Sequence, residues 1–359
     1  MVLERLFPEE LLERKFIYAF ILGFAYSIIG IIIARLLFPA NSGIVSVIFT
    51  SILLSPYMRK IFAKEEASEE KERKFTLKEL YSLDYDVIFM YFLIFFGIFL
   101  SYLIFSFILP QLGVNTFNIL REQLFLDPSL RGRAAFDFGS FNSIFYSNWW
   151  VLLATFMLAL IAGDGAVFFI TWNASAWGVI FGFRALSAAN YSGQHPLYML
   201  VLLVFIVIWH IILESGAYIL AGIAGSTISH EIIKERIEIK EFVLWLLAGM
   251  GLFLFFRYAL SFSKLSVLSR FVIYFLLAVV LIIILGKIVA EKKNKEVFTY
   301  NLALLIIAIL VFAAGAVVET AVLSNSSALN DIYTLANCEA NSISEDDCQS
   351  ALNSWKDIT

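Results

Sequence analysis

The chain has 359 residues, of which 60% are hydrophobic and 16% charged, with a mean hydropathy of +0.84. A water-soluble domain is nearer half apolar and a quarter charged, so this composition excludes an ordinary soluble protein. The formal net charge of −4 argues against a nucleic-acid partner.

The first residues, MVLERLFPEELLERKF, carry mixed charge and no small-residue cleavage site. The apolar run after them is too long for the core of a signal peptide. Apolar segments then arrive at roughly twenty-residue length, which suits a helix crossing the hydrocarbon layer. Spans are expected at Phe16–Phe38, Gly43–Met58, Val87–Leu109, Asn148–Ile161, Ala166–Phe183, Leu197–Leu213, Gly216–His230, Phe242–Tyr258, Phe271–Val289 and Tyr300–Leu323. The lipid bilayer is therefore the first partner.

Lysine and arginine collect in three places: the linker Arg59–Glu79 and the short loops Glu231–Glu241 and Glu291–Glu296. Basic loops stay on the cytoplasmic side, which puts the N-terminus inside and residues 324–359 outside as an extracellular tail. Two chemical signals agree with an exported tail. Cys338 and Cys348, ten residues apart, favour a disulfide in an oxidising compartment. Asn325-Ser326-Ser327 matches the N-glycosylation acceptor pattern.

Parity complicates the middle of the chain. Residues 110–147 fall outside and Glu231–Glu241 inside, so an odd number of crossings must join them, yet four apolar segments lie between. One of these is expected to be re-entrant, or two to join as one broken helix, with breaks at Gly163-Asp164-Gly165 and Glu214-Ser215-Gly216. Freed backbone groups survive there only when protein or a cavity covers them. In the external segment, Phe117–Phe125 reads as a short interfacial helix, and Arg131-Gly132-Arg133 runs against the charge bias.

The expected fold is an all-α, polytopic transmembrane helical bundle whose central module contains broken or re-entrant helices. Its parts are an N-terminal hairpin (1–58), a charged cytoplasmic linker (59–84) and the core module (85–230). Three C-terminal helices (231–323) and the tail (324–359) complete it.

An ionisable residue within a membrane span is a functional candidate by default. His210 and Glu214, spaced i, i+4, share a helix face; a proton relay, a metal pair and a structural His–Glu bond all suit that spacing. Asp164, between two glycines, suits the cap of a half-helix or a hydrated turn. Asn148 and Asn173 read as amides joining helices. Arg257 and Glu319 lie near span ends, where snorkelling accounts for them. No metal site is expected: His195 and His230 are distant, and no His-Glu-x-x-His pattern occurs. Small residues at Ala174, Gly178 and Gly182, and at Ala217, Ala221, Gly225 and Ser229, form ladders that let helix backbones approach closely.

The stretch from Asn148 through Gly163, Gly165, Asn173 and Gly178 to His210, Glu214, Ala221, Gly222 and Gly225 resembles the stage II sporulation protein M family. Asn173-Ala174 and His210-Ile211 depart from it, since glycine commonly follows in the family. The likeness covers about Val87–His230, leaving the terminal helices as additions. It implies a non-enzymatic envelope scaffold that anchors partner proteins, either other membrane or envelope proteins or further copies of the chain, without a cofactor. The alternative is a transporter, channel or permease subunit built around His210 and Glu214, with an intramembrane enzyme as a minor third reading.

Overall fold

A computed structural model describes residues 17–69, 77–110, 117, 138–163, 166–234, 295–339 and 344–358, with isolated positions between 251 and 280. The described residues form helices and connecting turns, with no strand among them.

Helix α1 (Ile17–Leu37) ends where Pro39 follows, because a residue before proline is driven out of the helical region. After one 3-10 turn, Pro39–Asn41, the chain reverses into α2 (Ser42–Glu69). Helix α3 spans Leu77–Ile108, α4 Phe138–Ala162 and α5 Ala166–Ser192. Helix α6 (Pro196–Lys234) is the longest at 39 residues, and α7 covers Lys295–Asn325. Two polar helices follow, α8 (Ser327–Glu339) and α9 (Glu345–Ile358).

Two left-handed glycines make the tight turns of the core module. Gly163 (φ 63°) separates α4 from α5, and Gly193 (φ 71°) ends α5. This conformation costs a residue with a Cβ far more than glycine. Past Gly193, the ring Nδ1 of His195 accepts the Leu197 amide at 3.3 Å, and Pro196 opens α6 in the position where its missing N–H costs nothing.

Seven described helices are long and apolar enough to cross a membrane, and the chain is a multi-pass integral membrane protein. Glycines bring the helices together. A Cβ on Gly178 would stand 2.6 Å from the Phe99 carbonyl, and one on Gly182 would strike the Ser106 hydroxyl; this seam packs α5 on α3. Ser106 also donates to the Gly178 carbonyl at 3.1 Å. Gly23 of α1 and Gly97 of α3 make a second backbone-on-backbone crossing. Tyr102 of α3 donates to Ser46 of α2 at 2.9 Å. In α6, a Cβ on Gly225 would lie 2.5 Å from the Phe156 carbonyl of α4. Ala174, Ala217 and Ala221 are buried with these glycines. Both ladders are thus buried seams within the bundle.

The helices correct several sequence boundaries. No break occurs at Glu214-Ser215-Gly216: α6 runs through it, joining Leu197–Leu213 and Gly216–His230 into one rod. At 1.5 Å per residue it is roughly 58 Å long, well beyond the ~30 Å hydrocarbon layer. Gly216 stays helical because it makes room for Phe92 of α3, whose ring would lie 3.0 Å from an added Cβ. The parity problem then resolves, since three helices long and apolar enough to cross, α4, α5 and α6, lie between the two loops, an odd number that requires no re-entrant segment. The break at Gly163 is real, but it is a turn between two spans.

Helix α4 begins ten residues before Asn148, so residues 138–147, expected in the loop, are helical. The charged linker is helical at both ends, through Glu69 and from Leu77. Phe117 is buried against Tyr102, ring centroids 5.6 Å apart; residues 118–125 and Arg131-Gly132-Arg133 lie outside the described residues. So do Asp164, Gly165, Arg257 and most of the expected spans 242–258 and 271–289. The tail is no loose extension: Cys338 and Cys348 are disulfide-bonded and tie α8 to α9. Asn325 is the last residue of α7, its amide donating to the Ala321 carbonyl at 2.8 Å. That makes the acceptor pattern part of a helix end, not a free loop.

Candidate functional site

The polar centre of the bundle forms where α4, α6 and α7 meet. Glu214 is 5% exposed. Tyr218, one turn further along α6, donates its hydroxyl to Oε1 of Glu214 at 2.5 Å. From α4, the Asn148 side chain hydrogen-bonds the same carboxyl, and from α7 the carboxyl of Glu319 acts on it electrostatically. Helix α7 comes this close because Gly315 lacks a side chain: an added Cβ would lie 3.3 Å from Cβ of Leu213. Aromatic rings surround the cluster. Phe312 packs on Phe145 at 4.9 Å, on Trp149 at 6.4 Å and on Tyr218 at 6.4 Å. Apolar walls of this kind keep the dielectric low and make each polar contact count for more.

Two carboxyl groups therefore lie within electrostatic reach of each other inside a membrane protein, with a hydroxyl and an amide beside Glu214. Such a group can hold a proton or simply lock three helices. Glu319 is half-buried and belongs to this cluster, which corrects its reading as a snorkelling residue. The signal was present in the sequence as an acid inside an apolar span, but its partner lies 105 positions away in the chain and no local pattern marks the pair.

His210 does not join the cluster. It is buried, its ring edge-on to Trp177 of α5 at 6.5 Å, and its Nδ1 has no hydrogen-bond partner. It makes no bond to Glu214, whose hydrogen bonds go to Tyr218 and Asn148; the i, i+4 pairing expected from sequence is absent. Asn173 is buried and donates to the Phe169 carbonyl of its own helix at 2.8 Å. Of the polar residues singled out by sequence and described, Asn148, Glu214 and Glu319 come together. Among the described residues no group of three or more histidine, cysteine or acidic side chains is placed to hold a metal ion.

From the cluster a second set of contacts leads to the C-terminal hairpin. Tyr333 of α8 lies within electrostatic reach of Glu319. The guanidinium of Arg184, on α5, stands over the Tyr333 ring at 3.7 Å, a cation–π arrangement. Burial pushes the Tyr333 hydroxyl above its usual pKa, while the Arg184 charge pulls it back. Within the hairpin, Ser354 donates to Asp331 at 2.8 Å, and Trp355 meets Tyr198 near the start of α6 at 6.4 Å. Arg184, Tyr218 and Tyr333 carry no sequence signal of these contacts; no motif distinguishes them from other residues of their helices.

These features define a multi-pass α-helical membrane protein with a carboxylate-centred polar cluster between three of its spans. No protein-family model, no curated protein and no solved structure matches the chain.

Proposed function

We propose that this chain is a non-enzymatic scaffold of the cell envelope, an integral membrane protein that presents a folded hairpin to partner proteins. The observation that carries the reading is the α8–α9 hairpin, two short polar helices stapled by Cys338–Cys348 and seated on the end of the bundle. Its exposed face, with Glu345, Asp346, Gln349, Ser350, Asn353 and Lys356, is shaped for water and not for lipid. Inside the bundle Glu214 is bonded to neighbouring helices and His210 is packed between them, as a support needs. Membership of the stage II sporulation protein M family is part of the same proposal. Its support is that four of the family-like residues, Asn148, Glu214, Gly178 and Gly225, all stand at helix–helix contacts.

In this reading the membrane is the plasma membrane, the N-terminus is cytoplasmic and the hairpin is extracellular, following the basic loops and the disulfide. Affinity purification of the tagged protein from native membranes after crosslinking through positions 349 and 353 tests it. A defined envelope protein, or a second copy of the chain, is the expected capture. Repeated recovery of the uncrosslinked single chain would sink the scaffold reading.

A second reading, a proton- or solute-moving subunit, is favoured by one observation, the approach of Glu319 to Glu214. Paired acids within a membrane recur in proton relays. Its test is flux in proteoliposomes: a proton or ion leak abolished by Glu214→Gln and by Glu319→Gln supports it, and no flux above empty vesicles rejects it.

A further inference from the structure

Three polar side chains of α6 follow one another at four-residue intervals: His210, Glu214 and Tyr218. Residues four apart on a helix share a face, with Cβ atoms about 5–6 Å apart. The Glu214 carboxyl therefore stands between two candidate partners, one a turn before it and one a turn after. It bonds one of them. Oε1 accepts the Tyr218 hydroxyl at 2.5 Å, and Asn148 reaches the same carboxyl from α4. On the other side, His210 is 7% exposed and its Nδ1 has no hydrogen-bond partner. Its neighbour Trp177 meets the imidazole edge-on at 6.5 Å, a ring contact that leaves Nδ1 unbonded.

A buried polar atom without a partner is costly, and native proteins keep few of them. Here a fitting partner lies one turn away, engaged elsewhere. The exchange between the two neighbours is close to balanced. When the carboxyl swings from Tyr218 to His210, one hydrogen bond breaks and one forms, and the unpaired position passes from the imidazole to the phenol. Two arrangements with equal numbers of bonds on one helix make a bistable element.

We propose that the Glu214 carboxyl is a two-position switch, bonded to Tyr218 in the arrangement described and to His210 in a second one. Protons balance in either charge state. A protonated Glu214 donates its O–H to Nδ1, and an ionised Glu214 accepts from the tautomer that carries hydrogen on Nδ1. The two partners are eight residues apart, roughly 12 Å along the helix axis, so switching carries the carboxyl toward the Pro196 end of α6. It also draws the carboxyl off Asn148, which changes how α4 is fastened to α6. The switch concerns three residues of one helix and stands apart from both readings of function.

Nitrogen-15 NMR of the full-length protein in lipid, labelled at its three histidines, reads the second position. The His210 ring signal is the one lost in His210→Phe. In Tyr218→Phe, which removes the first position, the Nδ1 signal of His210 should shift to a hydrogen-bonded value, and adding Glu214→Met should return it. An Nδ1 signal identical in wild type and Tyr218→Phe overturns the proposal. So does a shift that survives Glu214→Met, because another group then holds the ring. A second measurement leaves Tyr218 in place. The carbon-13 signal of the Glu214 carboxyl should be broadened by exchange in wild type and sharpen in His210→Phe; equal widths in the two proteins overturn the switch.

Discussion

The hydroxyl of Tyr218 donates to the Glu214 carboxyl over 2.5 Å, from one turn away on the same helix. A bond within a helix joins no elements by itself. Its effect is to fix the carboxyl in the rotamer that also meets Asn148 from α4 and approaches Glu319 from α7. A local bond thus sets the geometry of a three-helix contact.

Tyr218→Phe should therefore loosen more than one bond. Removing a donor from a buried acceptor costs about 1–3 kcal/mol in water-soluble proteins, and roughly 0.6 kcal/mol on average for polar pairs in membrane proteins. Thermal unfolding in detergent should show a loss within that span for Tyr218→Phe. Asn148→Ala combined with Glu214→Gln should be non-additive with the single changes, because the two side chains bond each other. Additive effects would show that the Asn148–Glu214 bond contributes nothing.

The glycines of α6 separate packing from permissiveness. An alanine at Gly225 brings its Cβ to 2.5 Å from the Phe156 carbonyl, a backbone atom that cannot rotate away. At Gly216 the nearest atom is the rim of the Phe92 ring at 3.0 Å, which can turn aside. Gly225→Ala should accordingly lower stability in detergent by about 1–3 kcal/mol, the cost of overpacked sites, read as a lower melting temperature, and Gly225→Leu should lower it further. Gly216→Ala should change it little. Equal sensitivity at the two positions would contradict the close α4–α6 crossing.

Burial pushes the Asp331 carboxyl above its ordinary range, opposed by the hydrogen bond from Ser354. A raised folded value means that the fold favours the protonated acid. The associated stability is complete below the unfolded pKa and is lost as pH rises through the folded value. Asp331→Asn, which imitates the protonated form, should match wild type in acid and exceed it slightly at neutral pH. Limited proteolysis of the hairpin between the two conditions reads the difference. The effect should be small because the carboxyl is still reached by solvent.

Orientation is open to a direct assay. Cysteine placed at Gln349 or Asn353, both exposed on α9, should react with a membrane-impermeant maleimide on intact cells, whereas the bonded Cys338 and Cys348 should not. Reaction only after the cells are lysed would reverse the topology.

The sequence by itself determined the solvent of this protein and most of its helices. Runs of apolar residues at membrane-spanning length leave the backbone no alternative to helix, and that requirement is local. The small-residue ladders were legible for the same reason, since close helix approach needs small side chains whatever the neighbour is. The pairing of Cys338 with Cys348 was legible because ten residues and two thiols leave little else to pair.

Tertiary structure alone decided how polar groups in the bundle were partnered. Glu214 and Gly216 looked like a break because acid and glycine disfavour an apolar helix on their own. The helix continues because Asn148, Tyr218 and Phe92 take up the carboxyl and the missing side chain. His210, one turn before Glu214, is turned toward Trp177 by packing against α5, which no periodicity reveals. Glu319 reached the same cluster from 105 residues away. In a membrane the cost of a buried polar group is paid by whichever side chain the fold brings beside it, and that neighbour is a property of three dimensions.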